Sequence, residues 1–226
     1  MTKNNILVVV AHPDDETIGL GGTMKKHIEE GANIFVVSMT NGVGSRENIS
    51  SLDIYKRKEA SKKASDLLGF KWEENLSLKD NQLDTYPLLD IVKFVEKIKR
   101  KIKPLLVYTH CGGDLNIDHR VVSNAVLTAF RPQPDEIYTE IRLFEVASAT
   151  DYGHKDITGV FEPNLFVDIS ATWGSKFSAL EAYKSELFEA PHSRSLEGLK
   201  NLARFRGNQV GIKMAEAFQI IRKIER

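Results

Sequence analysis

Ile6-Leu7-Val8-Val9-Val10 is an unbroken apolar run, mostly β-branched, that gives way at once to His12-Pro13-Asp14-Asp15-Glu16. A strand with one wet face would alternate apolar and polar residues, and this run does not. It reads as a strand covered on both faces, the pattern of a parallel sheet held between two helical layers. The apolar stretch from Ile6 to Ala11 is too short for a signal-peptide core. No apolar run approaches the roughly 18 residues that cross a bilayer.

The rest of the chain repeats the alternation. Gly19-Leu20-Gly21-Gly22-Thr23 leads into a helix from Met24 to Gly31, and Ile34 to Met39 is a second strand ending at Thr40-Asn41-Gly42. Strand, helix and strand in that order make a βαβ unit. Asp53 to Leu68 is a helix stopped by Gly69, and Leu76-Ser77-Leu78 is a short strand. From Tyr86 to Ile102 the apolar residues recur three or four apart, which makes one buried stripe. Leu105 to Thr109 is the next strand, Asp118 to Phe130 a helix, Ile137 to Val146 and Leu165 to Ile169 strands. Trp173 to Glu189 and Leu196 to Ile224 read as helical, broken near Pro191, Gly207 and Gly211. This order predicts one domain over residues 1–226, a three-layer α/β/α sandwich with a mostly parallel sheet.

Composition narrows the function. Lys+Arg and Asp+Glu are equal at 31 each, so the chain lacks the basic balance of a nucleic-acid binder. The single cysteine, Cys111, excludes an internal disulfide and a four-cysteine zinc site and fits a reducing cytoplasm. No membrane insertion is expected, and assembly into a homo-oligomer stays open.

In an open α/β sheet the ligand sits at the carboxyl ends of the strands. Three polar clusters fall there: His12 to Glu16, Thr40 to Arg46, and His110 to His119. An imidazole and a carboxylate three residues apart, His12 and Asp15, suit a divalent cation such as zinc. Of the two adjacent aspartates, Asp14 and Asp15, one can bind metal while the other stays free to handle a proton. The two aspartates equally suit capping of a following helix. His119 is a candidate third ligand, and Asp118 a candidate cap for the helix there. Gly19 to Gly22 lacks the lysine of a phosphate loop and reads as close helix packing. Cys111 reads as a buried thiol, and Tyr183 as core or as a wall of a sugar site.

These residues resemble the PIG-L/LmbE family of zinc-dependent N-acetylglucosamine-type deacetylases. Ala11 to Glu16 matches the family's opening Ala-His-Pro-Asp-Asp-Glu motif without a break, and Asn116-Ile117-Asp118-His119 stands where the family usually has His-Pro-Asp-His. Thr40-Asn41-Gly42, Arg57-Lys58-Glu59, Leu68-Gly69, Pro191 to Ser195, Arg206-Gly207 and Ala215 to Phe218 extend the likeness along nearly the whole chain. The resemblance implies a Rossmann-like, LmbE-like sheet and a zinc ion (or another divalent cation) on His12, Asp15 and His119. It implies Asp14 as general base and an N-acetylated sugar conjugate as the small-molecule substrate.

One departure follows from the motif. Asn116 replaces a histidine that helps hold the tetrahedral intermediate in related enzymes. An asparagine amide can donate to an oxyanion without supplying charge. His192 and His110 are further candidates for that role. Arg57 and Asp80 correspond to substrate-facing positions: Arg57 as an anion-binding fork or an exposed helix arginine, Asp80 as a partner of sugar hydroxyls or a turn residue. Arg46 and Arg194 are candidate anion contacts. Two other readings remain at this point. One is a non-hydrolytic sugar- or nucleotide-binding protein on the same fold. The other is a nucleotide-binding protein without metal, against which the missing glycine fingerprint argues.

Overall fold

The structure is a computed structural model and describes residues 4–44 and 50–225. The described strands are β1 (Asn5–Val10), β2 (Asn33–Ser38), β3 (Lys71–Trp72), β4 (Leu106–His110), β5 (Glu140–Phe144), β6 (Leu165–Asp168) and β7 (Ala215–Lys223). The helices are α1 (Asp15–Glu29), α2 (Ser51–Leu68), α3 (Leu88–Ile102), α4 (Ile117–Ala129), α5 (Lys155–Thr158), α6 (Trp173–Ala182) and α7 (Leu196–Asn208).

The strands form one seven-stranded sheet in the order β3-β2-β1-β4-β5-β7-β6. The first five are parallel, and β7 runs antiparallel to both β5 and β6. Residues of β1 divide by parity. Ile6, Val8 and Val10 join the core shared with α1, α2, α6 and α7, whereas Leu7 and Val9 join the core shared with α3 and α4. That two-sided burial is what the unbroken apolar run requires, and it yields the expected three layers. Strand order reverses between β1 and β4, and the two loops that diverge there carry the first and third polar clusters. Among the described residues no helix is long and apolar enough to cross a membrane.

Four sequence expectations change. The helix expected from Met24 begins nine residues earlier, at Asp15, and takes in the glycines. Those glycines serve close packing: a Cβ at Gly19 would lie 2.4 Å from the Phe144 ring, and one at Gly22 2.8 Å from Ile169. The third strand is Lys71–Trp72, because the backbone at Leu78 makes only an isolated bridge with Thr40. The helix from Trp173 ends at Ala182 and is followed by a 3-10 turn, Lys184–Glu186. The expected helix to Ile224 stops at Asn208, and Ala215–Lys223 is a strand pairing two neighbours. Its Ala217, Phe218 and Ile220 can serve either period. The sheet edge left open by β5 selects the extended form.

Candidate metal and catalytic site

The site begins with a bend. His12 lies two residues past the end of β1, and Asp15 Oδ2 accepts the His12 backbone N–H at 2.9 Å, closing a tight turn. Asp14 between them has φ 144°, a conformation rarely adopted by non-glycine residues. Glu16 holds it there, since its Oε2 accepts the Asp14 N–H at 2.9 Å. Glu16 is fully buried and also accepts from Thr17 and from the Tyr183 hydroxyl, 3.1 Å away. Burial pushes its carboxyl up to about 7. The backbone thus turns the two neighbouring aspartates to different tasks.

Three donor atoms converge beneath this bend. Asp15 Oδ2 lies 3.1 Å from His12 Nδ1 and 3.4 Å from His119 Nε2, and the two ring nitrogens lie 3.3 Å apart. His119 Nδ1 faces the Asp114 carboxylate at 2.9 Å, and His12 Nε2 faces Asp80 at 2.9 Å and Asp118 at 3.2 Å. With both rings neutral, those outer carboxylates favour the ring protons on the outer nitrogens, which would leave three lone pairs pointing at one another. A cation between them would resolve the conflict. Tetrahedral coordination with bonds of about 2.0–2.2 Å would separate donors by roughly 3.4 Å, close to the spacing here. Burial pulls His119 down, but Asp15 and Asp114 outweigh it and hold the ring up to about 9. Burial also opposes the charge on His12, which Asp15, Asp118 and Asp80 nevertheless keep well above its ordinary value. Asp15 itself is disfavoured by burial yet lies well below the usual range because three histidines surround it.

A second grouping, His12 with Asp80 and Asp118, also has ligand-like spacing. There the bonds are already satisfied. Asp118 accepts the backbone N–H groups of Asn81 at 2.7 Å and Leu83 at 3.0 Å besides facing His12. Asp118 therefore does not cap α4. Asn116 does, through its Oδ1 and the Asp118 N–H at 2.9 Å.

Asp14 occupies the N-cap position of α1 but makes no capping bond. Its buried Oδ2 has no hydrogen bond and faces the Arg57 guanidinium at 3.3 Å and Arg194 at 3.9 Å. Burial raises the Asp14 carboxyl, and Arg57 opposes that rise. Arg57 is buried, with Glu186 as its other carboxylate partner at 2.9 Å, and is not the exposed helix arginine that was one expectation. Gly42 makes room for it. Gly42 has φ 70°, its carbonyl accepts from Arg57 Nη2, and a Cβ there would meet that guanidinium at 2.7 Å.

Asp14, His12 and His119 line a cavity of about 160 Å³ whose wall also includes Arg57, Asp80, Asn116 and Arg194. Most of the sequence-derived site residues thus converge. His192 does not line this cavity: its ring stacks on Phe188 with centroids 4.1 Å apart, and its Nδ1 accepts the Arg194 N–H. His110 is fully buried, stacks on His119 at 4.0 Å and accepts the Ala11 N–H through Nε2. Arg46 lies outside the described residues. Sequence reasoning gave no role to Asp114 or Glu186, and to Glu16 none beyond its place in the opening motif. Asp114 carried a signal, an isolated acid five residues before a candidate metal histidine, whereas Glu186 carried none.

The switch point of this Rossmann-like sheet thus brings together His12, Asp15 and His119, a group that could hold a metal ion, beside the Asp14 carboxylate. The sequence profile described as PIG-L, GlcNAc-PI de-N-acetylase, matches residues 7–130, and the chain belongs to that family. It is 24% identical to the diacetylchitobiose deacetylase of Thermococcus kodakarensis, over 96% of this chain and 82% of the relative. Among solved structures, the N,N'-diacetylchitobiose deacetylase of Pyrococcus horikoshii in complex with an inhibitor superposes with a TM-score of 0.77 at 26% identity. That match covers 98% of this chain and 85% of the other. The 4-carboxy-2-hydroxymuconate hydratase of Pseudomonas putida shares the fold, with a TM-score of 0.76 at 20% identity over 99% of both chains. The chain is a deacetylase of this α/β class.

Proposed function

We propose that the protein is a zinc-dependent hydrolase that removes the N-acetyl group from an amino-sugar conjugate, releasing acetate and a free amine. The observation that carries this reading is the pairing of two features 3–4 Å in scale. Three buried donors converge on one point, and the adjacent Asp14 presents a carboxylate oxygen without a hydrogen bond to the same cavity. Arg57 and Arg194 compensate the buried Asp14 charge, yet its Oδ2 takes no hydrogen bond, which leaves an oxygen able to accept a proton. A general base requires one.

His12, Asp15 and His119 would hold the ion. When bound, it would supply Lewis acidity to the acetamide carbonyl and to the attacking water. Asp14 takes the proton from that water as its oxygen bonds to the carbonyl carbon. It then returns the proton to the nitrogen as the C–N bond breaks, so water and amide become acetate and amine. Arg57 and Arg194 oppose the rise that burial gives the Asp14 carboxyl and so favour its ionised form. Asn116 and Arg194 stand in the cavity wall where donors to the developing oxyanion are needed. We assign His192 a weaker claim to that role, because its ring is engaged with Phe188. Arg57 and Asp80 are the substrate-facing residues, with Asp80 able to accept from a sugar hydroxyl while it faces His12. The polar lining of the cavity suits the hydroxyl-rich end of a small N-acetylated sugar conjugate, and the lone buried Cys111 suits a cytoplasmic enzyme.

The test is acetate release from a panel of N-acetylated mono- and disaccharide conjugates, with and without chelator. Chelator-sensitive release that Asp14→Asn abolishes is expected. Release unaffected by both treatments would overturn the reading.

A further inference from the structure

The helix that carries Asp15 is broken in its middle. Leu20 has φ −144° and ψ 21°, outside helical geometry. In an uninterrupted helix the Gly22 N–H would donate to the Ile18 carbonyl. Here two side chains from distant elements stand in that gap. Lys176 of α6 donates its Nζ to the Ile18 carbonyl at 2.7 Å and to Glu216 Oε1 at 2.6 Å. Glu216 of β7 accepts the Gly22 N–H on Oε1 at 3.0 Å and the Thr23 N–H on Oε2 at 2.7 Å. The inserted ion pair takes over three backbone groups of the helix ladder: the Ile18 carbonyl and the N–H groups of Gly22 and Thr23.

The insertion is built in. Lys176 and Glu216 are both nearly fully buried. Glu216 sits at the N-terminal end of the second half of α1, where the helix dipole favours a carboxylate. Gly21 lets the lysine stem pass: a Cβ there would lie 3.3 Å from Lys176 Cγ. Side chains that enter a helix ladder redirect the axis. The redirected segment, Asp15 to Leu20, starts with a metal ligand and its neighbour Asp14. The same helix α6 leads on to Tyr183, which bonds Glu16 in that segment. A buried ion pair contributes little stability compared with apolar residues of equal volume, so stability alone is a poor account of this one.

We propose that Lys176 and Glu216 are positioning residues: the inserted pair aims the first turn of α1, and through it sets where Asp14 and Asp15 stand relative to His119. The inference rests on the metal-centre reading given above. Its test is zinc affinity, read by competition with a chromophoric chelator, alongside kcat and KM for acetate release. In Glu216→Gln the zinc dissociation constant is expected to rise by about tenfold or more, the scale seen when groups behind metal ligands are removed. KM should stay within about threefold and kcat should fall. Lys176→Gln combined with Glu216→Gln removes both charges together but leaves one amide oxygen where Glu216 presented two acceptors to Gly22 and Thr23, and should return zinc affinity only part of the way to wild type.

A folded Glu216→Gln variant with a lower melting temperature but zinc affinity and kcat within about twofold of wild type would overturn the proposal, leaving the pair as scaffold. If that variant fails to fold, Lys176→Gln and the double variant decide by the same criterion. Wild-type protein that binds zinc but releases no acetate would sink the deacetylase reading, while the zinc measurements still decide this one. Wild-type protein that binds no zinc overturns both.

Discussion

Arg57 Nη2 and Asp14 Oδ2 stand 3.3 Å apart inside the protein, with Glu186 on the other side of the guanidinium at 2.9 Å. Burial alone would leave Asp14 protonated more of the time, and Arg57 opposes this. Replacing Arg57 with Met removes the opposing charge, so the Asp14 carboxyl should rise further. A base of higher pKa is ionised only at higher pH. The acid limb of the kcat/KM profile is therefore expected to move to higher pH in Arg57→Met, read from acetate release across the pH range. An unmoved limb would mean that Arg57 does not tune the base.

Asp14→Asn removes the base while keeping shape. General acid–base groups contribute about 10²–10⁴ in rate, and a loss in that range is expected in kcat. The variant should retain zinc, because Asp14 is not among the converging donors. It should also unfold no earlier than wild type, since a charge disfavoured by burial has been removed. Loss of zinc in Asp14→Asn would reassign the residue to the metal.

Asp114 illustrates what the sequence hides. The His12 to Glu16 cluster is legible because its parts are contiguous and follow a strand of evident burial. His119 is legible once a third ligand is sought after another strand. Asp114 acts only through space: its Oδ2 faces His119 Nδ1 at 2.9 Å and accepts from Thr150 at 2.8 Å. Arg57 carried two readings because nothing local says whether a helix arginine turns inward. The fold decides it by placing Gly42 opposite. Glu216 was unreadable for a stronger reason, since its role needs β7 in the sheet and its segment suits a helix equally well. Asp114→Ala should weaken zinc binding about 10–100-fold. Unchanged affinity would show that the ring needs no such anchor.

Protonation of the ligands links metal to pH. Burial opposes the charge on His119, but Asp15 and Asp114 raise its value from 6.5 to about 9. A raised histidine contributes stability that is complete below pH 6.5 and is lost as pH climbs through about 9. Chelator-treated protein should therefore melt at lower temperature at pH 9 than at pH 6.5. Cation binding has the opposite slope, since it needs the neutral ring. The gap in melting temperature between zinc-loaded and chelated protein should widen from pH 6.5 to 9. A gap that stays constant would remove His119 as a proton-linked ligand.

Asn116 does two jobs that a single alanine replacement would confound. Its Oδ1 caps α4 by accepting the Asp118 N–H, and its Nδ2 donates to Asn81 Oδ1 at 3.3 Å at the cavity wall. Losing the cap costs about 1 kcal/mol, and losing an oxyanion donor costs about 10²–10³ in rate. Asn116→Ser separates them, because serine caps well but lacks the amide N–H groups. It should melt near wild type and lose at least about tenfold in kcat with little change in KM, whereas Asn116→Ala should lose both stability and rate. If Asn116→Ser keeps full kcat, the cap is the whole role of Asn116, and the donor to the developing charge must be sought at Arg194. The guanidinium of Arg194 already lies 3.9 Å from Asp14 and carries the positive charge that an asparagine cannot.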